Sequence, residues 1–79
     1  MSFSEALEAI KAGVRVTRKG WNGKGMWVVC MPIHGKFTTH DFSAKLSHPI
    51  LLIKNANGTF STWVPSITDI FAEDWEEVL

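Results

Sequence analysis

The segment Gly20-Trp21-Asn22-Gly23-Lys24-Gly25-Met26 holds the densest set of residues suited to chemistry. Its three glycines let the backbone come close to a ligand, Trp21 offers a flat face, Asn22 offers donor and acceptor, and Lys24 brings a mobile cation. Such a set suits a nucleotide, with a base to stack, hydroxyls to bond and phosphate to neutralise. The spacing is neither that of a Walker loop nor of the dinucleotide fingerprint, which follows a strand and opens a helix. A glycine turn with Trp21 plugging the core accounts for the same residues. A second group, Trp63, Pro65, Ser66, Thr68 and Asp69, followed by Asp74 and Trp75, sets an aromatic face beside a helix start with unpaired backbone N–H groups. It could bind ribose and phosphate, or Ser66 and Asp69 could be only an N-cap and its capping-box partner.

Catalysis finds little support. Cys30 lies inside an apolar run where a thiol stays protonated and inert, and His34, His40 and His48 are scattered. His40-Asp41 is a dyad only by adjacency. One Cys and three such His do not make a zinc site, which wants about four ligands at defined spacing. The carboxylates of Glu73, Asp74, Glu76 and Glu77 read as a solvated acidic end. We therefore expect no catalytic residue, no metal and no cofactor.

The elements that must position these residues follow from local pattern. Ser2 and Glu5 have capping-box spacing, and Phe3, Ala6, Leu7 and Ile10 recur at i, i+3, i+4 and i+7, predicting an amphipathic helix that ends at Gly13. Val14 to Arg18 alternates, which predicts a strand with Val14 and Val16 buried and Arg15 pointing away. Met26 to Met31 predicts a central strand stopped by Pro32, and 33–49 is patternless, a loop with a helical turn at most. Ile50 to Lys54 and Thr59 to Val64 flank Asn57-Gly58, which predicts a hairpin on a type I′ turn. Ser66 opens a helical turn through Ile70 and Phe71, and Trp75 to Leu79 forms an edge strand, with Trp75 in the core. The sum is a small α+β domain over residues 1–79: an antiparallel sheet of about four or five strands with the N-terminal helix packed on it.

The chain has 79 residues, 46% hydrophobic and 20% charged, and its four Trp and five Phe exceed what so small a core can hide. Its lone Cys rules out an internal disulfide, so association between subunits is the staple left over. Eight bases balance eight acids, which argues against a polyanion binder. The charges are nevertheless segregated. Lys11, Arg15, Arg18, Lys19 and Lys24 have no acid among them, while Asp69, Glu73, Asp74, Glu76 and Glu77 have no base, so the two ends are expected to pair. The opening MSFSEALEAI does not read as a secretory signal, and no stretch approaches the roughly 18 apolar residues of a membrane span.

Three motifs in order carry a resemblance: the SFSEALEAIKAG helix; Val16, Arg18 and the run from Gly20 to Met26; and Trp63, Pro65, Ser66, Asp69, Ala72, Asp74 and Trp75. Together they resemble the small phage-encoded Thoeris anti-defence proteins of the second type, over residues 2–31 and 50–79 but not 33–49. The resemblance implies a sponge in the host cytoplasm. Such a homotetramer binds cyclic ADP-ribose-type signals, such as the glycosylic 1″–3′ isomer made by bacterial TIR-domain proteins, and withholds them uncleaved; relatives also capture cyclic oligonucleotides. On that reading Trp21 and Trp63 stack or cover a ribose, Lys24 and Arg18 neutralise the pyrophosphate, and Asn22, Ser66, Thr68 and Asp69 bond hydroxyls or base edges. Phe3, Gly23 and Met26 complete the wall. The competing readings are a single-stranded nucleic-acid-binding module using Lys11 to Lys24, an enzyme that degrades the signal, and a structural component of a virion.

Overall fold

The computed structural model describes residues 1–31 and 49–78. The capping box forms as expected: Ser2 Oγ accepts from the Glu5 N–H at 3.2 Å while Glu5 Oε1 accepts from the Ser2 N–H at 3.0 Å, opening α1 (Phe3–Lys11). Its end is a Schellman turn. Gly13 takes φ +88°, its N–H bonds Ile10 O at 3.0 Å, and the Val14 N–H bonds Ala9 O at 2.9 Å. Because Val14 is held by the helix, the first strand starts two residues later than its alternation suggests, and β1 spans Val16–Arg18.

The other elements are β2 (Trp27–Met31), β3 (Ile50–Lys54), β4 (Phe60–Thr62), α2 (Ile67–Phe71) and β5 (Trp75–Glu77). The strands make one antiparallel sheet in the order β4-β3-β2-β1-β5, at the upper end of the expected count, with α1 packed on β1, β2 and β5. The fold is therefore the α+β arrangement expected. Ala6 and Ile10 of α1 meet Val16, Val28 and Trp75 from three neighbouring strands, and these five form the buried apolar core. Pairing of Arg18 with Trp75 across β1 and β5 puts a guanidinium beside the largest core ring, and the site grows from that pairing. On the opposite sheet face, Trp27, Lys54 and Phe60 form one cross-strand row, and the Arg15 guanidinium lies 5.2 Å from the Trp27 ring centroid. Pro32, His34, His40, His48 and the expected loop over 33–49 lie outside the described residues, apart from Pro49.

The hairpin forms, but on a different turn. A type I′ turn needs positive φ at both central residues, and here Gly58 has it at +88° while Asn57 does not. The Gly58 N–H instead bonds Asn55 O at 2.9 Å and the Asn55 N–H bonds Thr59 O at 2.7 Å, giving a type I turn closed by a left-handed glycine. Asn57 contributes through its side chain, whose Oδ1 accepts from the Thr59 N–H at 3.1 Å. Gly58→Ala is thus expected to destabilise by about 1 kcal/mol. Asn57→Gly should also destabilise, because it frees a right-handed residue and removes an acceptor. Urea unfolding of both variants checks this; a stabilising Asn57→Gly would restore the type I′ assignment.

Candidate ligand-binding site

α2 opens with the second capping box, and the residue that closes it is the hub of the site. Ser66 Oγ accepts from the Asp69 N–H at 3.1 Å, and Asp69 Oδ2 accepts from the Ser66 N–H at 3.0 Å. The other oxygen, Oδ1, accepts from Arg18 Nη1 at 2.9 Å and from the Trp21 indole N–H at 3.3 Å. The Asp69 carbonyl accepts the Trp75 indole N–H at 3.0 Å. Asp69 is 8% exposed, a buried acid whose two carboxylate oxygens both accept from protein donors. Arg18 is shared: Nε donates to Asp74 Oδ1 at 2.8 Å, while Asp74 Oδ2 accepts the Gly20 N–H at 2.8 Å. One guanidinium therefore bridges two carboxylates, and through them β1, the glycine loop, α2 and the entry to β5. The expected pairing of the cationic stretch with the acidic end takes this form, with Lys19 and Glu76 adding a looser contact at 3.9 Å.

Around this network the aromatic rings pack mostly edge to face. Trp21 meets Trp75 at 5.3 Å between centroids and 80°, and Trp63 at 6.4 Å and 70°. Trp63 and Trp75 stand 6.0 Å apart at 79°, and Phe3 closes the group at 5.8 Å from Trp75 and 6.4 Å from Trp63. These are the geometries the ring quadrupoles favour. Trp75 is buried, as expected, whereas Trp21, Trp63 and Phe3 are half-buried and keep part of each ring at the surface.

Electrostatics follows from the contacts. Burial pushes the Asp69 carboxyl up, but hydrogen bonds from the Ser66 backbone, Arg18 and Trp21 together outweigh it and hold the carboxyl below the usual aspartate range. The Arg18 guanidinium beside Asp74 lowers that carboxyl too, with the Gly20 N–H assisting. Arg18 is pushed further up by Asp74 and then Asp69, so it stays charged. With one cation for two anions, the network carries a net charge of −1.

The structure thus brings together Phe3, Arg18, Trp21, Trp63, Ser66 and Asp69. Asn22, Gly23, Lys24 and Met26 continue from Trp21 towards the β3–β4 turn, where a Cβ on Gly23 would stand 2.9 Å from Ala56 Cβ. Asn22 and Lys24 are exposed, and Lys24 forms no ion pair among the described residues. Thr68 is exposed on α2. One assignment changes: Asp74 is not part of a solvated acidic end but a clamp on the loop. Trp21 packs on the core while staying half-buried, which leaves both readings of it in place. The signal for Asp74 was present in the segregated charges, but only the β1–β5 register shows which acid meets which base. Among the described residues, no group of three or more His, Cys, Asp or Glu could hold a metal ion, and no helix is long and apolar enough to cross a membrane.

These features define a small α+β domain whose half-buried aromatic cluster is locked by a shared ion pair. The profile of the Thoeris anti-defense 2-like domain matches residues 1–78, and the chain belongs to that family. The chain is also 40% identical over 84 residues to Thoeris anti-defense 2 of Bacillus phage SP01, a match covering 99% of this chain and 94% of that protein.

Removing Asp69 should unlock the whole network. Asp69→Ala is expected to cost about 3 kcal/mol, because it leaves Arg18 and the Ser66 and Trp21 donors without their shared acceptor. Acid should act on the same contacts. Both carboxyls sit below their unfolded values of about 3.9, so their contribution is complete at neutral pH, and below about pH 5 the unfolded chain starts to take up protons first, draining stability. Stability against pH checks this: Asp69→Ala should show a shallower acid slope than the parent.

Proposed function

We propose that this chain counters Thoeris defence as a sponge, binding a cyclic ADP-ribose-type signal such as the 1″–3′ glycosylic isomer and withholding it uncleaved. Family membership supports the anti-Thoeris role, and the relative from phage SP01 carries that role in its name. The observation that carries the binding role is the pair of half-buried indoles, Trp21 and Trp63, beside a glycine loop bearing an exposed lysine. Such surfaces stack a purine and cover a ribose without supplying a nucleophile or a base. Sequestration needs affinity and no turnover, and we assign no catalytic residue, metal or cofactor. The signal is intracellular, which places the sponge in the host cytoplasm.

The charge of the network decides the pose. A pyrophosphate brought against the net −1 of Arg18, Asp69 and Asp74 is repelled, so the phosphates fall to Lys24 at the loop, with Arg18 contributing only Nη2, the nitrogen that bonds neither carboxylate. Base and ribose go to the rings and to Ser66, Thr68 and Asn22, with Phe3, Gly23 and Met26 lining the wall. Asp69, whose oxygens are engaged, holds Trp21 and Arg18 in place behind the ligand.

The site is proposed to work in a homo-oligomer, a tetramer on the family resemblance. Among the described residues the buried apolar core comprises five, whereas Val64, Ile67 and Phe71 are 85%, 75% and 79% exposed. Large apolar side chains so exposed on a small domain suit contact with a second copy. Capture of cyclic oligonucleotides by the same protein is part of this reading.

Calorimetry with the 1″–3′ glycosylic isomer, followed by denaturation and mass measurement of the released ligand, tests the proposal. The expected result is tight binding with the ligand mass unchanged and a weak dependence on salt. A new mass would establish a degrading enzyme, and steep salt dependence with single-stranded DNA would favour a polymer binder. Lys24→Ala should leave folding intact and weaken binding roughly tenfold to a hundredfold, the value of a charge-assisted contact.

A further inference from the structure

Among the residues around the aromatic cluster, one controls the loop without facing the proposed pocket. Asp74 binds the loop root twice: its backbone carbonyl accepts the Lys19 N–H at 3.2 Å, and its Oδ2 accepts the Gly20 N–H at 2.8 Å. The tethers on Trp21 itself are longer, 3.3 Å from its backbone N–H to Arg18 O and 3.3 Å from its indole N–H to Asp69. Both lie just beyond the usual 2.7–3.2 Å range of N–H···O bonds, so the short bond at Gly20 is the one that aims the chain entering Trp21. A side chain there would crowd this contact, since a Cβ at Gly20 would stand 2.9 Å from Asp74 Oδ2. Asp74 is itself fixed, because Trp75 next to it is buried and paired in register with Arg18, and Arg18 Nε holds Asp74 Oδ1. The contacts close a ring: Arg18 to Asp74, Asp74 to Gly20, Gly20 to Trp21, and Trp21 edge-on to Trp75 at 5.3 Å.

We infer that Asp74 is a positioning residue for the ligand site: by gripping the Gly20 N–H and Arg18 Nε together it fixes the root of the glycine loop and, with it, the orientation of the Trp21 indole. This rests on the proposed pocket at Trp21. A stacking surface gains affinity from being held in its bound orientation before the ligand arrives, so Asp74 sets affinity through Trp21 and does not touch the ligand. Beyond Trp21 the loop is held at its far end, where Gly25 O accepts from Lys54 Nζ at 3.1 Å and Met26 O accepts from Thr17 Oγ1 at 2.7 Å, and between these anchors the Asn22 and Lys24 side chains are exposed.

The test is calorimetry with 1″–3′ glycosylic cyclic ADP-ribose on the parent, Asp74→Ala, Asp74→Asn, Gly20→Ala, Trp21→Phe and the Asp74→Ala/Trp21→Phe pair. Near-ultraviolet circular dichroism of each unliganded protein reports the coupled Trp21 and Trp75 rings. Asp74→Ala and Gly20→Ala are expected to weaken binding by about tenfold or more and to change the tryptophan dichroism, while Asp74→Asn, whose single oxygen can serve the Gly20 N–H or Arg18 Nε but not both, falls between Asp74→Ala and the parent. In the Trp21→Phe background the loss from Asp74→Ala should shrink, a coupling that a purely structural role would not produce. Parent-like affinity in Asp74→Ala and Gly20→Ala, or strictly additive losses, would overturn the inference. If Asp74→Ala does not fold, Gly20→Ala and Asp74→Asn make the same comparison. If the parent binds no ligand, the proposed function fails, and unchanged tryptophan dichroism in folded Asp74→Ala or Gly20→Ala would then overturn the positioning role separately.

Discussion

A single guanidinium shared by two carboxylates is the constraint around which this molecule is arranged. Arg18 sits at the end of β1 with its side chain 14% exposed, and it bonds Asp69 of α2 and Asp74 at the start of β5 through different nitrogens. Two acids so close would repel each other without it, and a lone arginine so enclosed would lack compensation for lost hydration. Each group is tolerable only because the other two are present. Asp69 adds the condition that its backbone and side chain also serve Ser66, Trp21 and Trp75, so the ion pair cannot form without the short helix and the aromatic cluster forming with it. Such mutual dependence lets a five-residue helix, far too short to be stable alone, hold a fixed place.

The same constraint limits what the site can do. Arg18 is the cation nearest the rings, yet its charge is outweighed by its own partners, so an anionic ligand gains from the rings and the loop rather than from the ion pair. Under the proposed function Lys24, exposed on the glycine segment and without an ion pair among the described residues, answers the phosphate. On that proposal recognition divides in two: indoles and hydroxyls take the base and ribose, and the exposed lysine of the loop takes the phosphates. A division of this kind favours molecules that join a planar base and ribose to a compact anionic bridge, and it disfavours long polyanions, which need a continuous basic track.

Much of this was legible in the sequence where local chemistry decides. Both capping boxes, Ser2 with Glu5 and Ser66 with Asp69, are written in spacing alone, as is the glycine end of α1. The first strand follows from alternation and the second from an unbroken apolar run; β1 starts late because the helix C-terminus takes the Val14 N–H, and β4 and β5, at Phe60–Thr62 and Trp75–Glu77, are shorter than the runs Thr59–Val64 and Trp75–Leu79. Asn57-Gly58 marks a hairpin correctly but not its turn type, because the number of residues between paired strands, not the dipeptide, selects the geometry. Asp74 was legible only as an acid among acids. Its role depends on the register between β1 and β5, a pairing of residues more than fifty apart that no local pattern encodes. The segregated charges point Arg18 at the acidic end of the chain, but that its partners are Asp69 and Asp74 together follows only from the fold.

A core and a pocket made from the same rings have a thermodynamic consequence. Trp75 is buried, while Trp21 and Trp63 are half-buried against it, so the surface proposed to stack a ligand is the outer layer of the hydrophobic core. A ligand on that surface binds the folded chain and not the unfolded one. At a free concentration a thousandfold above its dissociation constant it would add about 4 kcal/mol of stability. For a chain of 79 residues, whose total stability is of order 4–12 kcal/mol, that is a substantial fraction. Tight capture and a minimal fold are therefore compatible: under the sponge reading the cargo reinforces the layer that the small core leaves incomplete. Selection for affinity and selection for stability then act on the same indoles.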